Sequence, residues 1–499
     1  MKRFLAGFIT VSLLFSGCHV ASPKIEDVQI NLSDNKITVD GNEITNDRSQ
    51  AVYAENDIVF YLAGQDFTYG EGTTEDAHEQ SEADNHTVVH ITKPGRYVLR
   101  GELSFGQIAI DLGEDAKEDP EAVVTIVLDG LDLTCTVAPA IIFYNVYECC
   151  SSDEETATKD VDTTKAGANI IIADDSENNI HGSYVAKIYK SYELNAEGTE
   201  VVDSKKLHKY DGAFYSKKTM NINGGTKGTG ILNITAENEG LNSELHLTIN
   251  GGTINILSGN DGINTNEDNV SVTTMNGGTL NILCNGLTGE GDGIDSNGWL
   301  VINGGTVIAQ ACATSGDAGI DSDKGIYMNG GNVIASGNMY DPIAGGNQTY
   351  ATFSFLSRQS GKDTYTLKNS SGEVVGAYAP TNAFTYLIIA GDALTPGEYT
   401  FWQGNTQLTA SGMPQGNMPP NKPEGHEKPE RPDGAPFQMP NEEPPKMPDG
   451  KRPEMPEGMT PPNGMGGMMD GNKIPNDEVS TIFTIVKGGN SFSNVTPKK

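Results

Sequence analysis

The stretch "HLTINGGTINILSGNDGINTNED", residues 246–268, sets two runs of alternating apolar residues around an Asn-Gly-Gly turn and then writes Asp-Gly-Ile-Asn-Thr. The phrase recurs: the Asn of each Asn-Gly-Gly is Asn223, Asn250, Asn276, Asn303 or Asn329, at spacings of 27, 26, 27 and 26 residues. A constant period in that range, carried by short alternating strands and glycine turns, marks a solenoid in which each repeat contributes one coil. Ile249, Ile254 and Ile256 share one face if the strands alternate, and they recur further along as Ile302, Val307 and Ala309. Stacked inward, such columns make a continuous core. Coils that pair in parallel with the next coil predict an all-β fold, a right-handed parallel β-helix, over residues 88–345. Cys284 and Cys312 fall eight and nine residues past their Asn and read as small buried residues of this core.

A second pattern precedes each turn. Ser216, Ser243, Ser296 and Ser322 stand seven residues before the Asn, and Thr265 takes the same place in the coil lengthened around Glu267 and Asp268. Immediately before these hydroxyls stand Tyr215, Asn242, Asn264, Asp295 and Asp321. Three residues earlier come Gly212, Glu239, Asp261, Asp292 and Ala318, and one further back Asp211, Asn238, Asn260, Gly291 and Asp317. Coils of a β-helix lie about 4.8 Å apart. Two carboxylates at that distance repel by roughly 1 kcal/mol in water and about 3–4 kcal/mol at an effective dielectric near 20. A stack of them calls for a neutralising charge. The oxygen-only set Glu239, Asn242, Asp261, Asn264, Asp292, Asp295, Asp317, Asp321 and Asp323 suits calcium, which takes several oxygen ligands. The alternative is a solvated ladder of turns in which Asp and Asn accept from local backbone N–H groups.

The chain has 499 residues, more than one compact core organises, so an elongated domain with appendages is expected. Its 33 basic and 67 acidic residues give a net charge of −34, which opposes association with nucleic acid or anionic lipid unless cations intervene. "MKRFLAGFITVSLLFSGCHV" opens with Lys2 and Arg3, continues with an apolar run too short to span a bilayer, and closes on Ser16-Gly17-Cys18. That is a secretory signal over residues 1–18, similar to a lipoprotein signal with Cys18 as the lipidated residue; an ordinary signal peptide is the alternative. An extracellular, membrane-anchored protein follows. The remaining cysteines, Cys135, Cys149, Cys150, Cys284 and Cys312, are odd in number and hold no Cys-x-x-Cys pair, so neither a zinc site nor a disulfide framework is expected.

The run "GDGIDSNGWLVINGGTVIAQACATSGDAGIDSDKGIYMNGGNVIASG", with "AFYSKKTMNINGG" upstream, resembles the bacterial carbohydrate-binding β-helix family, secreted calcium-binding proteins related in shape to pectate lyases. The resemblance extends over roughly residues 88–410, with "PGRYVLRGEL", "GQIAIDL", "VVTIVLDGLDL" and "ANIIIADDSENNIHGS" as first rungs and a charged insertion at 150–166. It implies calcium on the coil turns and non-catalytic binding of plant cell-wall polysaccharide, acidic pectin or cellulose. Trp299, the one tryptophan of the repeat, is a candidate sugar platform or a packed rim residue.

Two other readings compete. Calcium-dependent β-helix pectate lyases use a Lys or Arg to remove a proton from a uronate, and Lys324, directly after Asp321-Ser322-Asp323, is the best-placed base. The bland role for Lys324 is a surface salt-bridge partner, because neighbouring carboxylates favour its charged form. No Ser-His-Asp or paired-glutamate pattern points to a hydrolase. The second alternative is an adhesive surface protein whose calcium serves stability alone.

Residues 19–87 read as a linker and leading β segment, and residues 346–411 as a small antiparallel β unit whose aromatic residues form its core or stack on sugars. Residues 412–475 hold sixteen of the 24 prolines and nine of the 14 methionines, a composition that forms no packed core. Strand alternation returns in "TIFTIVKGGNSFSNV", so that stretch reads as an insertion before a returning strand at 476–499. The sequence thus predicts a monomeric, calcium-stabilised polysaccharide-binding protein of the cell surface.

Overall fold

The computed structural model describes residues 27–61, 65–70, 78–411 and 479–498. The expected signal with Cys18 and the proline-rich stretch 412–475 lie outside the described residues. Among these, the one α-helix is Gln80–Asp84, and no helix is long and apolar enough to cross a membrane. The fold is all-β, with large sheets.

Each Asn-Gly-Gly phrase supplies short strands to parallel ladders. In one ladder Met220–Gly224, Leu247–Ile249, Val272–Met275, Trp299–Ile302 and Gly325–Met328 pair in succession. In a second, Ile231–Ala236, Thr253–Ser258, Thr279–Cys284, Thr306–Gln310 and Asn332–Gly337 do the same. A third stacks Gly212–Ser216, Glu239–Ser243, Ile263–Thr265 and Ile294–Ser296. The earlier segments join them: Gly95–Leu103 pairs with Val124–Thr134, which pairs with Ala168–Ile172 and Glu177–Gly182, and Thr87–Ile91 pairs with Gly106–Asp111. Val28–Leu32 runs parallel to Gly95–Leu103, so pairing begins well ahead of residue 88.

Register fixes what is buried. Ile234, Ile256, Ile282, Ala309 and Ala335 are successive partners in the second ladder and all are buried in one core. Burying one such isoleucine contributes about 1.5–3 kcal/mol, and a one-residue slip would turn the whole column to solvent. The turns lock that register. Asn250, Asn276, Asn303 and Asn329 each donate through Nδ2 to the Oδ1 of the Asn one phrase earlier, at 2.9, 2.8, 2.9 and 2.8 Å. The second glycine of the phrase is required by conformation, with φ of +88° at Gly252, +85° at Gly278, +83° at Gly305 and +86° at Gly331. Space requires it as well: a Cβ on Gly278 would lie 2.5 Å from the Gly252 carbonyl oxygen.

The C-terminal part is joined to the ladders and is not wholly antiparallel. Phe384–Ala390 pairs antiparallel with Asn332–Gly337, the last rung of the second ladder, so the two parts share a sheet. Gly489–Pro497 lies parallel to Tyr350–Gln359 and antiparallel to Thr406–Ser411, which makes the pairing mixed. A strand reached through a long connection is not bound to the antiparallel geometry that a tight hairpin imposes. Phe353, Tyr365, Phe384, Phe401 and Phe483 are fully buried and close a second core, so these rings are packing residues rather than sugar platforms. The charged insertion lies over the outer face of the first ladder, where Thr163 donates to Thr248 Oγ1 at 2.8 Å and Lys159 Nζ stands 5.2 Å above the Tyr327 ring.

Candidate functional sites: a carboxylate column and an open groove

The third ladder places Asn242, Asn264 and Asp295 in register, with Leu241, Ile263 and Ile294 as the inward anchor beside them. Asp321 continues the stack, its N–H donating to the Ile294 carbonyl at 2.7 Å, and the Asp323 N–H reaches the Ser296 carbonyl at 3.0 Å. Ahead of these strands the turns stack too: the Asp261 and Asp292 carbonyls accept from Gly240 and Gly262, both at 3.0 Å. The carboxylates answer from one rung to the next. Asp261 Oδ1 accepts from the Asp292 N–H at 2.7 Å, Asp292 Oδ1 from the Ala318 N–H at 2.6 Å, and Asp317 Oδ2 from the Gly291 N–H at 2.7 Å. These acceptors serve backbone N–H groups one rung away rather than the local, solvated turns expected of Asp. Each of these bonds uses one oxygen of its carboxylate, which has about four acceptor sites.

Glu239 is buried beneath this stack and accepts from Asn242 Nδ2 and, at 3.0 Å, from Asn264 Nδ2. Burial, reinforced by the negative charge of Asp211, pushes its carboxyl up to about 7 despite those donors. Burial also holds Asp261 well above the usual carboxylate range, with Asp292, Asp295 and Glu239 adding repulsion. Asp292, which keeps a solvent-facing edge, is raised by burial and by Asp295, Asp321 and Asp317. Asn264 Oδ1 is buried with no hydrogen-bond partner. Carboxylates held against their charge beside an orphan amide oxygen are an oxygen-only donor set of the kind hard cations take. They are strung along the rungs rather than gathered at one point. Among the described residues, three Asp, Glu, His or Cys ligand atoms lie mutually within 4.8 Å at Glu148–Cys149–Cys150 and at Glu55–Asp57–His90, not within the column.

Lys324 is exposed on the turn after Asp323, its N–H bonded to the Gly298 carbonyl at 2.7 Å. Trp299 is half-buried at the edge of the first ladder, beside Val272 and Gly325.

The outer face of the second ladder carries a groove that the sequence reading passed over. Its volume is about 400 Å³, and Asn255, Leu257, Asn281, Leu283, Ile308 and Gln310 line it. Asn233 Nδ2 donates to Asn179, Asn255 to Asn233 and Asn281 to Asn255, at 2.9, 2.8 and 2.8 Å. Leu257 and Leu283 are register partners beside this amide row, and Leu257 is 37% exposed. The signal was present as Asn-x-Leu in "INILS" and "LNILC", but the period that names a strand does not say which outward column faces open solvent.

No curated protein matches the chain. Among solved structures, the polysaccharide lyase-like protein from C. thermocellum, a gadolinium derivative, is similar with 19% identity and a TM-score of 0.32, over 62% of this chain and 94% of that one. The model of the carbohydrate-binding domain-containing protein family matches residues 85–375, more than half of the chain, and the chain belongs to that family.

Proposed function

We propose that the protein is a right-handed parallel β-helix that binds plant cell-wall polysaccharide, acidic pectin or cellulose or both, with calcium and without cleaving it, at a cell surface to which Cys18 anchors it. The parallel ladders at one-phrase steps support the β-helix, since parallel connections within a sheet are almost always right-handed. One observation carries the functional reading: Glu239 and Asp261, buried, and the half-buried Asp292 hold raised proton affinity beside the unpartnered Asn264 oxygen.

Glu239, Asn242, Asp261, Asn264, Asp292, Asp295, Asp317, Asp321 and Asp323 are the candidate ligands. Calcium, when bound, supplies the positive charge this column lacks and coordination positions open to sugar oxygens. The chain's own residues do the rest. Asn255 and Asn281 each donate one Nδ2 hydrogen along the amide row and keep a further N–H for sugar hydroxyls, and Leu257 and Leu283 offer apolar surface to a ring face. The ladder repeat of about 4.8 Å is close to the length of one pyranose residue, which lets successive rungs meet successive sugars.

Affinity electrophoresis of the full chain through pectate and through cellulose derivative tests this. Retention in pectate without accumulation of unsaturated product is the expected result. Product that accumulates with time and disappears in Lys324→Ala would replace the binding reading with a lyase. Retention in neither polymer would leave the adhesive reading.

A further inference from the structure

Cys149 and Cys150 are adjacent in sequence and meet through their sulfurs at 3.3 Å, with both also facing the Asp162 carbonyl at 3.9 and 3.8 Å. Glu148 completes the group, its ligand oxygen and the two sulfurs lying mutually within 4.8 Å. The carboxylate is fixed from behind: Thr219 donates through N at 2.8 Å and through Oγ1 at 2.7 Å, and the Cys150 N–H adds a third bond at 3.0 Å. A cavity of about 270 Å³ opens over the sulfurs, walled by Val161, His246 and Val270 among others. Cys135, Cys284 and Cys312 are buried in cores and share none of this.

His246 is fully buried and hydrogen-bonds Cys150. Its Nδ1 accepts the Val272 N–H at 3.0 Å, so the ring proton sits on Nε2 and the ring is a donor toward sulfur rather than a ligand. Two sulfurs thus stand side by side at the cavity, with Glu148 beside them.

We propose that Cys149, Cys150 and Glu148 form a chelating site for a thiophilic divalent cation of the zinc and cadmium class, supported by the His246 donor and distinct from the carboxylate column. Two sulfurs and one carboxylate oxygen within this span can close on a single ion, leaving a position open to the cavity. An ion held by both sulfurs displaces their thiol protons to solvent, so affinity falls with falling pH.

The test is a cadmium titration of the full, reduced chain without oxygen, followed by the sulfur-to-metal charge-transfer absorbance. The expected result is one saturable equivalent with protons released on binding, unchanged by excess calcium. The band should vanish in Cys149→Ser with Cys150→Ser, a pair that leaves Cys18 in place, and His246→Gln should weaken binding about tenfold. The double variant's calcium-dependent melting shift reports separately on its fold and on the calcium reading. No charge-transfer band in the native chain, or an equal band in a folded double variant, overturns the site.

Discussion

Asn264 donates through Nδ2 to Glu239 Oε1 at 3.0 Å across one rung of the third ladder, while its own Oδ1 lies buried with no hydrogen-bond partner. An unsatisfied buried oxygen costs about 1–3 kcal/mol, and here it stands beside carboxylates that burial has already made unfavourable as anions. A bound cation would remove both costs at once, and this gives the calcium account measurable consequences.

The first is a pH dependence of unusual sign. Glu239 has a folded value of about 7, above the ordinary glutamate value, so the folded state holds its proton more tightly than the unfolded chain. Its stabilising contribution is full below the unfolded value and is lost as pH rises through about 7; Asp261 and Asp292 shift in the same direction. In chelator the melting temperature should therefore fall from mildly acidic to mildly alkaline pH, and calcium should flatten the decline. A calcium-free melting temperature that climbs over that interval contradicts the arrangement.

Replacing the charge should reproduce part of the calcium effect. Glu239→Gln keeps the shape and removes the buried anion, so in chelator at alkaline pH it should stabilise the chain by about 1–2 kcal/mol. The same variant should show a smaller calcium-induced rise in melting temperature. Denaturant titration with and without calcium measures both; destabilisation in chelator would mean that the Glu239 anion is already well solvated.

The turn ladder has its own arithmetic. The Asn276 side chain both donates to Asn250 and accepts from Asn303, whereas the Asn329 side chain, at the end of the row, donates to Asn303. Asn276→Ala should cost about 1–2 kcal/mol and Asn329→Ala about half that. Equal costs in equilibrium unfolding would show that the amide row adds nothing along its length.

Binding should be separable from the ion. Leu257→Ala with Leu283→Ala strips the apolar floor of the groove and should weaken polysaccharide retention about tenfold, equivalent to about 1.4 kcal/mol, while leaving the calcium-dependent melting shift intact. Trp299→Ala, on the other ladder, should change retention little. The reverse pattern would move the sugar to the Trp299 edge.

The sequence carried most of the ladder and only part of the sites. Spacings between Asn223 and Asn329 reappear as hydrogen-bonded pairs 27 or 26 residues apart, because parallel strands stacked at that step turn a sequence period directly into a spatial neighbour. The same rule aligned Asn242, Asn264 and Asp295 before any coordinates. Period alone was silent on burial, so the depth of Glu239 and the backbone bonds that occupy Asp261 and Asp292 were not legible. The C-terminal strands carry no period, and Phe384–Ala390 joining the last rung of the second ladder could not be read. Cys149, Cys150 and His246 converge because an insertion folds onto the first ladder, a long-range contact that no local spacing announces.

The central claim, calcium-dependent retention of acidic polysaccharide by the carboxylate column, is tested most directly by affinity electrophoresis through pectate with calcium and with excess chelator, run beside Asp261→Asn with Asp292→Asn. The account predicts strong retention in calcium, loss of most of it in chelator, and weak retention of the folded variant under both conditions. Pectate retention that is the same in calcium and in chelator, with the chain shown to be folded in each, would contradict it.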